Sequence, residues 1–169
     1  MKHNLSVRIL HAILAFLIIA QLILGFGFSY NILNFKWVMV LHKSFGLTTF
    51  FIILGLIITR IFSYKPKYDP PLPIIQLIIA KCVHFGMYIS AFGMAVSGLG
   101  GAILVNHPWK IFFIIPFPEI FKTNIPLGRE IFSYHYVFAT ILLVLVVIHI
   151  IAALFHQFIL KDNIIARIK

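Results

Sequence analysis

The sequence predicts an all-α integral membrane protein, a bundle of four transmembrane helices. Three observations predict it. Of 169 residues, 62% are hydrophobic and only 11% charged, where a soluble domain runs near half apolar with about a quarter charged. The apolar residues gather into four runs, each long enough to cross a ~30 Å hydrocarbon core. All four acidic residues, Asp69, Glu119, Glu130 and Asp162, fall between those runs or at their ends. The chain therefore reads as one membrane domain over residues 1–169, with helices roughly at 9–30, 37–61, 82–105 and 131–158.

Met1 to Ser6 form a short polar lead-in to the first helix. That helix is expected to persist as a span, because its apolar run is long and Gly25-Phe26-Gly27-Phe28-Ser29 offers no good cleavage site. Asn31 to Lys36 makes a tight turn into the second helix. Ser63 to Pro73 is a proline-broken loop: proline removes a backbone donor and restricts the residue before it. In the third helix, the pairs Gly86/Ser90 and Gly93/Ser97 give small residues at four-residue spacing, which lets helices approach closely. Residues 106–128 form the longest loop. It is apolar, broken by Pro116, Pro118 and Pro126, and suited by Trp109 and its phenylalanines to the membrane interface. The Lys161–Lys169 tail reads as a frayed continuation of the fourth helix.

Charge gives an orientation. Nine basic residues, Lys2, Arg8, Arg60, Lys65, Lys67, Lys81, Lys161, Arg167 and Lys169, lie on the side of the termini. Five, Lys36, Lys43, Lys110, Lys122 and Arg129, lie on the other. The richer side is expected to be cytoplasmic, so both termini are inside. The formal charge of +10 is thus a topology signal. The basic residues border apolar spans and form no soluble patch, which argues against a nucleic-acid partner and for the lipid bilayer. Cys82 is the single cysteine, so neither an internal disulfide nor a Cys-x-x-Cys-His attachment for c-type haem is available.

The chemistry lies in the histidines. His135 and His149 stand fourteen residues apart in the uncharged stretch from Ile131 to Leu160. At about 100° and 1.5 Å per residue they return to nearly the same face, some 21 Å apart along the axis. Ionisable groups at membrane depth are expensive and mark function. By depth, His42 and His135 belong near the outer surface, and His11, His84, His149 and His156 near the inner one. A low-spin b haem takes one imidazole on each face, so the outer pair is His42 with His135. For the inner haem, His149 with His11 fits best by depth, while His156, seven residues on, shares its face. His84 and His156 are then free to meet a haem propionate or a quinone. Gly46, one turn after His42, clears space either for a haem face or for a neighbouring helix. The absence of a carboxylate within the spans argues against a proton-coupled transporter.

The segments Arg8-Ile9-Leu10-His11, Leu41-His42-Lys43-Ser44-Phe45-Gly46, His84-Phe85-Gly86-Met87-Tyr88, Tyr134-His135 and His149-Ile150-Ile151-Ala152-Ala153-Leu154-Phe155-His156, then Lys161-Asp162-Asn163, resemble the bacterial cytochrome b561 family of di-haem, four-helix inner-membrane proteins. The resemblance covers the whole chain. It implies two b-type haems, with iron held by His11/His149 and His42/His135. It also implies oxidation of periplasmic superoxide to dioxygen with reduction of membrane ubiquinone, an activity found in the family. The alternative within the family is a cytochrome b subunit linking a periplasmic dehydrogenase or hydrogenase to quinone through a protein partner. The alternative of another class is a non-redox membrane protein or transporter.

Overall fold

The computed structural model describes residues 2–33, 35–64, 71–105, 109–162 and 164–168. Four helices dominate: α1 (Leu5–Ser29), α2 (Lys36–Phe62), α3 (Ile74–Val105) and α4 (Ile125–Phe155). Each is long and apolar enough to cross a membrane, as expected of an all-α transmembrane bundle. The added elements are a hairpin of β1 (Lys110–Ile111) and β2 (Ile115–Pro116), a π-helical turn at His156–Leu160 and a 3-10 turn at Ile164–Arg167.

Three helices begin earlier than expected, each for a local reason. α1 starts at Leu5, inside the segment read as a polar lead-in. α3 starts at Ile74, directly after Pro73, and runs through Gln76 and Lys81, which interrupt hydropathy but not helix propensity. α4 starts at Ile125 because the Asn124 side chain accepts from the Leu127 N–H at 3.2 Å and Pro126 occupies the first turn. An asparagine cap followed by proline is a helix start legible in sequence.

The α1–α2 turn closes on Asn31, whose φ of 58° is left-handed. The Ile32 and Leu33 amides both donate to the Gly27 carbonyl, at 2.8 and 2.9 Å. Gly27 lets the Leu33 side chain pack close, since a Cβ would stand 2.7 Å from Leu33 Cδ1. The tail is not a continuation of α4. Lys161 takes a φ of 57° and ends the helix, and the following turn folds back on the N-terminus. There the His3 amide donates to the Arg167 carbonyl at 3.1 Å, and Arg8 Nε donates to the Ile168 carbonyl at 3.4 Å. Residues 2–4 and 164–168 therefore lie at one end of the bundle, called the terminal end below; the hairpin marks the other. The stretches Lys65-Pro66-Lys67, Asp69-Pro70 and Asn106-His107-Pro108, and the residues Asn163 and Lys169, lie outside the described residues.

Most large apolar side chains face outward, Phe16, Phe51, Ile75 and Ile151 among them. Hydrocarbon is as apolar as leucine, so nothing drives these groups inward. Packing falls to small residues. α3 packs along α4, where a Cβ on Gly93 would meet the Phe138 ring at 2.7 Å and one on Gly86 would meet Leu145 at 2.9 Å. Ser90 and Ser97 are buried on α3, and Ser97 Oγ donates to the Gly93 carbonyl at 2.6 Å. The small-residue spacing thus serves helix approach. α1 packs on α2 and α2 on α3, but the backbone of α4 stays away from α1 and α2. A central core of Ile18, Leu22, Ile53, Ala91, Met94 and Leu142 joins all four helices at mid-height.

Candidate functional site

Leu142 lies seven residues from His135 and seven from His149, at two helical turns each way. It is almost fully buried in the central core. The histidines of α4 therefore emerge above and below that core, into the cleft between α4 and the α1–α2 pair. At the hairpin end, His135 meets His42 of α2, with ring centres 6.0 Å apart and planes at 90°. At the terminal end, His149 meets His11 of α1, with ring centres 6.4 Å apart and planes at 61°. The cleft is bridged at both ends by a pair of imidazoles.

These separations fit a metal between each pair. One ion held by two imidazole nitrogens, each ~2 Å away, sets their ring centres roughly 6 Å apart. The local surroundings fit as well. His135 Nδ1 lies 2.7 Å from the Met94 carbonyl, a contact that orients the ring and leaves Nε2 for another partner. A Cβ on Gly98 would stand 2.7 Å from both Cε1 and Nδ1 of His135. A Cβ on Gly25 would stand 3.0 Å from His42 Cε1. Each imidazole of this pair thus rests against a glycine, and a side chain at Gly98 would force His135 to shift. His42 Nδ1 is buried with no hydrogen-bond partner.

His84 lies beside the terminal-end pair. Its ring centre is 5.1 Å from that of His149, and its ring bonds the Ala80 carbonyl one turn back. The cluster at this end is therefore His11, His149 and His84. His156 is elsewhere. Its Nδ1 lies 2.5 Å from Asp162 Oδ2, across the π-helical turn. Asp162 Oδ1 and Gln157 Oε1 are buried in the same turn without a hydrogen-bond partner. The π turn and the left-handed Lys161 bring Asp162 back onto His156; a regular helix would carry the chain past it.

Gly46 faces the Gln21 side chain, with a Cβ placed there 2.9 Å from Gln21 Nε2. Its space is taken by a neighbouring helix. Gln21 is buried in the first span and donates through Nε2 to the His42 carbonyl at 2.9 Å. Gln21 was not singled out in the sequence, although an amide within an otherwise apolar span was the signal.

The hairpin docks on α2 immediately after His42. Phe112 and Phe113 carry φ of 46° and 65°, and non-glycine residues in that region are strained. The strain is offset by three contacts. The Phe112 amide donates to Ser44 Oγ at 2.8 Å, and the Ser44 hydroxyl in turn donates to the Val40 carbonyl. The Phe112 ring packs edge-on to Phe45 at 5.5 Å. Lys43 Nζ sits 5.6 Å over the Trp109 ring, which stacks on Phe117. Trp109 is thus bound to α2 as part of a folded hairpin.

Residues 2–169 match the family described as prokaryotic cytochrome b561. The chain is 27% identical over 136 residues to a Yersinia pestis protein named probable superoxide oxidase CybB, covering 78% of this chain and 74% of that one. It is also 27% identical over 128 residues to cytochrome b561 homolog 1 of Escherichia coli (strain K12), covering 75% of this chain and 71% of that one.

Proposed function

The chain belongs to the prokaryotic cytochrome b561 family of multi-pass membrane electron-transfer proteins, and from that premise we propose that it oxidises periplasmic superoxide and reduces a membrane quinone such as ubiquinone. The observation that carries this reading is the pair of facing imidazoles at each end of one helix, His42/His135 and His11/His149. These residues would hold two b-type haems, which when bound supply one-electron redox chemistry at each end of the bundle. The net reaction takes one electron from each of two superoxide anions, leaving two dioxygen molecules. It adds two electrons and two protons to one quinone. The Yersinia pestis relative bears a superoxide oxidase name, which supports this donor over a periplasmic dehydrogenase.

The chain's own residues have definite tasks. Lys36, Lys43, Lys110, Lys122 and Arg129 gather at the hairpin end against Glu119 and Glu130, a net +3 that draws in a small anion. The terminal end, richer in basic residues, faces the cytoplasm. There the Asp162 carboxylate holds His156 through Nδ1, so Nε2 is the nitrogen left to hand a proton to a quinone oxygen. The buried oxygens of Asp162 and Gln157 that lack donors suit the hydroxyl of the quinol formed. His84, packed against His149, instead supports the inner pair.

Stopped-flow mixing of the oxidised, haem-loaded protein with superoxide tests the reading: haem reduction in the mixing experiment is expected, followed by reoxidation on adding ubiquinone. His156→Ala should keep both haems and slow the reoxidation. Superoxide that leaves the haem spectrum unchanged would overturn the donor assignment.

A further inference from the structure

On α2, His42, Gly46, Thr49, Ile53, Leu56 and Arg60 follow one another at alternating four- and three-residue steps, a spacing that keeps one face. Ile53 and Leu56 of that stripe are buried, Ile53 in the central core. The stripe opens on His42 and closes on Arg60, in the last turn of the helix. Eighteen residues separate the two, about five full turns and ~27 Å along the axis. His42 is level with His135, and His149 lies fourteen residues on, ~21 Å further along α4. Arg60 therefore stands about one turn closer to the terminal end than the inner imidazoles.

The Arg60 side chain is partly buried, and its charge reaches groups on three neighbouring segments. It acts on His3 before α1, on His11 of α1, and on His84 and Tyr88 of α3. Each of these is neutral or basic, so none compensates a guanidinium. Among the described residues no carboxylate pairs with Arg60; Asp162 is taken by His156. A charge at this depth without a counter-ion is costly. The other cations nearby are placed differently: Arg8 gives its Nε to the Ile168 carbonyl at 3.4 Å, and Lys81 is exposed. Arg60 is thus the cation that the inner end of the cleft presents to an anionic group entering it.

We infer that Arg60 binds a carboxylate of the inner haem, its planar guanidinium pairing with a propionate. The inference rests on the reading of His11 and His149 as the ligands of that haem. A b haem brings two carboxylates with it, and in an apolar cleft an unpaired one is costly. A fixed positive charge in a medium of low dielectric also favours the reduced haem, which carries one positive charge fewer. Arg60 thus holds the inner haem at a higher potential than a neutral residue would, which favours electron flow toward the terminal end.

The test is a redox titration of haem-loaded protein, with the two low-spin signals resolved by electron paramagnetic resonance. Infrared difference spectra are taken on protein loaded with haem isotopically labelled at its propionate carboxyls. Arg60→Gln is expected to bind two haems, lower the inner midpoint, leave the outer one in place and shift the labelled carboxylate band. Arg60→Lys, which keeps the charge, should hold the inner midpoint near wild type. An inner midpoint unmoved in Arg60→Gln, or inner and outer midpoints moving together, would overturn the inference. So would a shift of equal size in Lys81→Gln, since any charge at this end would then serve. A lowered midpoint with the labelled band unmoved would overturn it as well, because the guanidinium would then hold a lipid phosphate or Asp69 and act from a distance. If Arg60→Gln loses the inner haem, Arg60→Lys decides: retention near the wild-type midpoint supports the pairing, and loss overturns it. His149→Ala run in parallel separates the two levels. Full haem content in that variant removes the ligand reading itself, and the inference with it.

Discussion

Gly98 and His135 are in contact so close that a methyl group added to the glycine would stand 2.7 Å from two atoms of the imidazole. The glycine lies on α3 and the histidine on α4, along the most closely packed helix pair. The position of this imidazole is therefore set by the missing side chain opposite it, together with the Met94 carbonyl at its Nδ1.

Gly98→Ala should displace His135 and cost the outer haem, leaving about one haem of two if each has its own histidine pair, as proposed. Gly55→Ala is the control, since a Cβ there meets nothing within 4 Å. It should keep the full haem content and gain up to ~1 kcal/mol of helix stability. Pyridine haemochrome assays and thermal unfolding measure both. Full haem loading in Gly98→Ala would contradict the fit.

The ligand pairs separate by mutation. His135→Ala should lose the outer haem alone, and His149→Ala the inner one. His156→Ala should lose neither, because its ring meets Asp162 and Phe155, and among the described residues no second imidazole faces it. Haem content and spectra of the three variants decide the matter. Loss of the inner haem in His156→Ala, with retention in His149→Ala, would reverse the inner assignment.

Reporter fusions should place the C-terminus in the cytoplasm and a site near Thr123 in the periplasm. The basis is the nine-to-five distribution of basic residues. A periplasmic signal from the C-terminal fusion would exchange the inner and outer labels of both pairs.

The bimolecular rate with superoxide should fall as salt rises, because exposed charges are screened beyond ~8 Å at physiological ionic strength. Lys110→Glu and Arg129→Glu should each lower it further. A rate indifferent to salt and to both reversals would confine these charges to a topological role.

The docking of the termini should weaken in acid. Burial, with Arg60, Arg167 and His11 adding repulsion, holds His3 below its usual pKa. The docked state favours the neutral ring, so its stabilisation is complete above about pH 6.5 and is lost as pH falls through the lowered value. The protection of the His3 amide, bonded to the Arg167 carbonyl, measured against its intrinsic exchange rate at each pH, should fall over that range. His3→Gln should flatten the dependence.

The spans and the shared face of His135 and His149 were legible because both are written in spacing; their ring neighbours His42 and His11 were reached through depth and family resemblance. Hydropathy marks any helix that must cross lipid, and fourteen residues on a helix fix a shared face whatever surrounds it. The hairpin was not legible: Phe112 and Phe113 adopt positive φ without the glycine or asparagine that announces such a turn, held by Ser44 from a distant helix. The His156–Asp162 pair was hidden for a similar reason. It depends on a π turn and on a left-handed lysine, neither of which has a compositional signature. His84 and His149 come together through the α3–α4 packing register, which no single helix reveals.

The way α4 is mounted has a consequence for biogenesis. It grips α3 along its length but leaves α1 and α2 bridged chiefly by side chains at two levels and by the central core. The bundle is built like a book with its spine between α2 and α3, and it can open toward the lipid without breaking a backbone hydrogen bond. A flat group held between the facing imidazoles would have a sideways path from the bilayer into the cleft, with no main-chain hydrogen bond to break.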